Sequence, residues 1–107
     1  MASAETLANL SATPLDLGDP GTVLLAIECT SPNAAETWIT LYALPADEVE
    51  VGVTPPAFRT RLAANESRMV RLPRGVHFPR GLSIAATTTA GGDTSPVTPI
   101  TVSAILS

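Results

Sequence analysis

The sequence has no lysine, one cysteine, one histidine and only four aromatic side chains among 107 residues. Each shortage closes a class of chemistry. Cys29 alone cannot form a disulfide framework. A zinc site needs three or four ligands from His, Cys and carboxylate, and the single Cys29 and single His77 lie 48 positions apart. Nucleophilic catalysis needs a base beside the nucleophile, and His77 is the only histidine. There is no GxGxxG, Walker sequence or nucleophile elbow. No catalytic residue, metal or cofactor is expected. The longest apolar runs are a handful of residues, against roughly 20 needed to cross a bilayer, so no membrane partner is expected either. The opening MASAETLANL has no Lys or Arg and no apolar h-region, so it does not read as a secretory signal, and folding in a reducing cytoplasm is the expectation.

What remains is a chain the size of one domain, 45% apolar and 15% charged. A chain of this length buries roughly 65% of its extended surface, enough for one core without staples. The net charge of -4 is unevenly distributed. Residues 1–50 carry eight acids and no base, while 51–107 carry six arginines against Glu66 and Asp93. Every fixed positive charge is therefore a planar guanidinium, suited to bidentate pairing. The two halves pair either within the fold or with complementary faces on neighbours.

Ten prolines and seven glycines punctuate the chain, and the longer windows between them run about 8 to 16 residues, which leaves helices little room. Six segments rich in Thr, Val, Ile and Leu read as strands: Thr22–Cys29, Thr37–Leu44, Ala57–Ala63, Ser67–Leu72, Gly81–Thr88 and Ile100–Leu106. Regular short strands with turn signals predict an all-β, antiparallel β-sandwich, jelly-roll-like, with about seven or eight strands. The inward set by alternation is Val23, Leu25, Ile27, Ile39, Leu41, Phe58, Leu62, Val70, Leu82, Ile84, Ile100, Val102 and Leu106, with Cys29 a small buried hydrophobe. His77 reads as a structural or surface residue on a short strand, opposite Phe78. The loops 45–56 and 89–99 carry no strand pattern. Residues 1–20 read as an extended N-terminal arm apart from the sandwich domain of 21–107, with Leu7, Leu10, Leu15 and Leu17 as anchors for a neighbour; a short helix over Ser3–Leu10 is the local alternative.

Two further groups are candidate partner contacts. Trp38 and Tyr42 share one face of an apolar strand and serve either the core or an outer aromatic platform. Arg59, Arg61, Arg68 and Arg71 fall on consecutive strands, so a hairpin would gather some of them on one polar face as a basic patch. The negative net charge and the lack of stacking aromatics argue against nucleic acid as its partner.

The segments Asn33–Tyr42, Val53-Thr54-Pro55-Pro56 and Leu72–Leu82, in that order and at that spacing, resemble a family of small β-sandwich structural proteins of tailed-phage virions. The resemblance covers roughly Gly21 to Leu106 and lies in turn chemistry. It implies a non-enzymatic capsid cement or decoration protein, made in the bacterial host cytoplasm and placed on the virion surface. Its implied partners are the major capsid protein and further copies of itself, as a dimer or trimer. A head-fibre, neck or tail component is the alternative within the virion, and a stand-alone ligand-binding sandwich the alternative outside it.

Overall fold

Proline and glycine break the chain into short segments, and strands occupy them. The computed structural model describes residues 3–107. The strands are β1 (Ser3–Leu10), β2 (Leu15–Gly18), β3 (Thr22–Thr30), β4 (Thr37–Tyr42), β5 (Phe58–Leu62), β6 (Ser67–Phe78), β7 (Leu82–Thr87) and β8 (Ile100–Leu106). The one helical element among the described residues is a 3-10 turn, Ala46–Glu48. Two four-stranded antiparallel sheets form, in the orders β1-β8-β3-β6 and β2-β7-β4-β5. Only β4 and β5 are both consecutive and paired. Every other connection passes from one sheet to the other, which is the jelly-roll arrangement of two Greek keys. The sandwich expected from the sequence is present.

The core lies between the inner faces. Ile100, Val102, Ala104 and Leu106 of β8 point inward against Ile39 and Leu41 of β4 and Leu82, Ile84 and Ala86 of β7. Each of those last five is fully buried. At about 25 cal/mol per Å2 of apolar surface, such side chains are the main source of stability.

Residues 3–18 depart from the expected arm. They supply one edge strand to each sheet: β1 pairs β8 from Ser3 opposite Leu106 to Leu10 opposite Ile100, and β2 pairs β7. Leu10 and Leu17 are core residues, 0% and 4% exposed, so neither is free to anchor a neighbour. Leu7 and Leu15 are half-buried against the same core. Pro14 falls between the two strands and Pro20 in the turn before β3, so they punctuate strands instead of holding the chain off the body. The helical alternative for Ser3–Leu10 is likewise excluded. Met1 and Ala2 of the expected arm lie outside the described residues.

Two inward assignments in β3 are also overturned. Leu24, Ile27 and Cys29 are buried, while Val23 and Leu25 are not. Against β8, Leu24 and Ala26 oppose the adjacent residues Leu106 and Ile105, so Leu25 is the extra residue of a bulge. A bulge shifts parity by one and turns the preceding residues over. On the other side of β3 the break is larger, because Leu24 and Ala26 face Val76 and Arg71 of β6. Gly75, at φ +70, makes this possible: a Cβ there would lie 2.5 Å from Val23 Cγ1.

Candidate functional site

The two outer faces of the sandwich differ. On the second sheet the outward residues are Ser83, Ala85 and Thr87 of β7 and Trp38, Thr40 and Tyr42 of β4. All but Trp38 are buried. The two long loops close over them. Ser83 Oγ donates to the Leu44 carbonyl at 2.8 Å, and Ala46 N–H donates to Asp16 at 2.8 Å, which draws the 45–56 loop across β7 and β2. Gly52 in that loop approaches Gly91, Gly92 and Asp93 in the other. Tyr42, expected either in the core or on an open platform, is 3% exposed beneath this cover. Burial raises its phenol pKa, and the Arg59 guanidinium opposes that shift.

Asn33 pins the second loop. Its Nδ2 donates to the Thr98 carbonyl and its Oδ1 accepts from Thr98 N–H, both at 2.8 Å, while its own carbonyl accepts from Asn65 N–H. One buried residue, through its side-chain amide and its backbone carbonyl, thus ties three loops at one end of the body. Ser31 Oγ accepts from Asn33 N–H at 3.2 Å and lies 3.4 Å from Thr37 Oγ1, so this polar cluster is internally satisfied.

Among the described residues the first sheet has no such cover. Its outer face is a grid of adjacent rows. Thr6, Ser103, Glu28 and Met69 form one; Ala4, Ile105, Ala26 and Arg71 form the next. Met69 and Ile105 are 45% and 44% exposed, and Val23 and Leu25, turned outward by the bulge, extend the apolar strip past Gly75. Thr6 with Ser103, and Thr30 with Ser67, pair their hydroxyls across strands. This is an apolar strip in a Thr/Ser ladder, bearing one acid and one base. We take it as the candidate functional site.

Sequence reasoning placed Arg71 here and missed Val23, Leu25, Ala26, Glu28, Met69 and Ile105. The signal was present at Ile105, which interrupts the polar positions Thr101 and Ser103 of β8. In β3 the unbroken run Val23–Ile27 carried too much apolar surface for one face.

The expected arginine hairpin does not form, because β5 belongs to the second sheet and β6 to the first. Arg59 and Arg61 project from the outer face of the second sheet, and Arg61 pairs with Glu36. Arg68 pairs with Glu66 at 3.1 Å, and Arg71 stands on the bare face. The turn Ala63–Glu66 crosses between sheets, and Glu66 caps it by accepting from Ala63 N–H at 2.7 Å. That bond and Arg68 hold the Glu66 carboxyl below the usual range.

The unbridged edges of β5 and β6 also explain Phe58. It points inward as expected, yet is 39% exposed at the mouth of an apolar cleft of about 130 Å3 lined by Leu24, Ile27, Leu41, Val70 and Phe78. Cys29 is buried, and burial with the Glu28 charge pushes its thiol up to about 12. His77 is exposed. Among the described residues no three His, Cys, Asp or Glu side chains come together as metal ligands, and no helix is long and apolar enough to cross a membrane.

Comparison with protein-family models finds no match, and comparison with curated proteins finds none. Solved structures do match. The chain is similar to PirA at a TM-score of 0.51 and 11% identity, over 97% of this chain and 92% of that one. It is similar to the Tobacco streak virus coat protein dimer at 0.51 and 8%, over 100% and 84%. A chain from the disulfide-linked pili that form Bacillus endospore appendages matches at 0.49 and 14%, over 99% and 85%. At these identities the likeness to PirA and the coat protein establishes the fold alone, a β-sandwich of jelly-roll type.

Proposed function

We propose that the protein is a non-enzymatic structural component of a phage virion, a cement or decoration protein on the outside of the head that stabilises contacts between major capsid subunits. The observation that carries this reading is the unequal treatment of the two outer faces. Two long loops cover one sheet, while the other keeps Met69 and Ile105 exposed beside the half-buried Leu25 and Val23. A rigid body with one bare, partly apolar sheet suits lateral contact with neighbouring subunits. Many copies on a shell make modest individual contacts sufficient. The motif resemblance points the same way, and the fold is one that a viral coat protein uses.

Of the residues nominated from the sequence, Arg71 on the bare face and Trp38, Arg59 and Arg61 at the rim of the covered one remain as contacts in this reading. Leu10, Leu17 and Tyr42 do not, being buried within the body. The test is the number of copies in purified particles, by quantitative mass spectrometry against the major capsid protein. A head decoration protein is present on the order of hundreds of copies, and a neck or tail component at about a dozen, following the symmetry of its site. Absence from particles would overturn the reading.

A further inference from the structure

We infer that the bare face of the β1-β8-β3-β6 sheet binds a second copy of this chain, in a two-fold dimer held by Glu28 of each copy against the partner's Arg71. The inference rests on reading that face as an assembly surface, and it names the occupant.

The first ground is charge. The face carries one carboxylate, Glu28, and one guanidinium, Arg71, in adjacent rows of neighbouring strands, with His77 opposite Val23 at its far end. Neither makes an ion pair among the described residues, whereas Arg61, Arg68 and Arg80 each have a carboxylate. A face neutral in sum and polarised across one row selects neither an acidic nor a basic partner. It matches itself when turned over.

The second ground is geometry. Two sheets packing face to face lie about 10 Å apart with strands within about 30° of each other. Consider a two-fold axis in the interface plane, running across the strands between the row of Glu28 and the row of Ala26 and Arg71. It exchanges the two rows. Glu28 then lies in the row of the partner's Arg71, one strand spacing of about 4.8 Å away, within reach of an arginine side chain. Ser103 falls over the partner's Ile105 and Met69 over the aliphatic stem of the partner's Arg71. The apolar strip is covered, and the pair between Glu28 and the partner's Arg71 forms twice, once on each side of the axis. Such an isologous contact closes on itself.

The third ground is area. Four strands about 4.8 Å apart, with the seven residues of β8 at about 3.3 Å each, give a face of roughly 19 by 23 Å. Two such faces bury on the order of 900 Å2, below the roughly 1,600 Å2 of a standard interface. The dimer is therefore weak and concentration-dependent in free solution, and gains from a scaffold that holds copies close.

The test is the mass of the isolated full chain by sedimentation equilibrium from about 10 to 300 µM, without particles, for the wild type, Glu28→Arg, Arg71→Glu and the double swap. The expected result is a monomer–dimer equilibrium in the wild type, at least ten-fold weaker in each single variant and restored in the double swap. Glu28→Gln and Arg71→Gln, which retain size without charge, should show intermediate weakening. Cooperative thermal melting of every variant at low concentration confirms that each is folded. A wild type monomeric throughout, single reversals that dimerise unchanged, or a double swap that stays monomeric would each overturn the inference. Monomers that nonetheless decorate particles would do so while leaving the virion reading intact.

Discussion

The two outer faces begin from the same problem, strands apolar on both sides, and meet it differently. β4 carries Trp38, Thr40 and Tyr42 outward and is covered by the chain's own loops. β3 and β8 carry Val23, Leu25, Ala26 and Ile105 outward, Ile105 exposed and the other three half-buried, with no loop over them among the described residues. The difference teaches that apolar residues on a second face mark a covered strand but do not say by what. Connectivity does: the 45–56 loop joins two strands of the second sheet and lies across it, whereas no connection joins two strands of the first.

The largest effect should come from removing the edges that bound both faces. A chain beginning at Gly21 loses β1, β2 and the buried Leu10 and Leu17. It should show no cooperative unfolding by circular dichroism; a sharp transition would mean that the two strands are an arm after all. Next comes a matched pair of truncations. Tyr42→Ala, beneath the loops, should cost about 3 kcal/mol, the low end for a buried aromatic because loops can settle into the space. Ile105→Ala, on the bare face, should cost under about 1 kcal/mol in dilute monomer. Equal costs in urea unfolding would erase the distinction between the faces.

Asn33→Ala should cost about 1–3 kcal/mol, since it strands the Thr98 N–H and carbonyl that the amide satisfies. The release of the 89–99 loop should appear as faster amide exchange at Thr98. Arg61→Ala, removing an exposed pair with Glu36, should cost at most about 1 kcal/mol, less in high salt. The smallest effect concerns pH. The Glu66 carboxyl is held low by Ala63 N–H and Arg68, so its contribution is full above the ordinary glutamate range and fades as pH falls through the lowered value. Glu66→Gln should flatten that acid limb in pH-dependent melting, by a small loss of stability at neutral pH and none below the lowered value.

Much of this architecture was legible in advance. The windows between prolines located six of the eight strands, and the alternation in β8 and β7 named the inward residues correctly. β1 and β2 were missed because an edge strand draws support from a neighbour's backbone and needs few apolar residues. Leu10 and Leu17 are buried, and Leu7 and Leu15 are half-buried against the same core. Val23 and Leu25 were assigned to the wrong face because a bulge at Leu25 is invisible to a strict period of two. The arginine cluster failed for a topological reason: consecutive strands invite a hairpin, but in this fold β5 and β6 lie in opposite sheets. Candidate-site residues suffered most, because Glu28, Met69 and Ile105 acquire meaning only when register sets them in adjacent rows.

The central claim is that the bare sheet is covered in the assembled particle, and Met69 reports on it directly. Its side chain is 45% exposed in the free body, on the face in question, and open to peroxide oxidation to the sulfoxide. The decisive measurement is the oxidised fraction at Met69, by peptide mass spectrometry after identical peroxide pulses, in dilute isolated protein and in purified particles. The expected result is rapid oxidation in the isolated protein and strong protection in particles. Equal oxidation in both, or particles without the protein, would contradict the account.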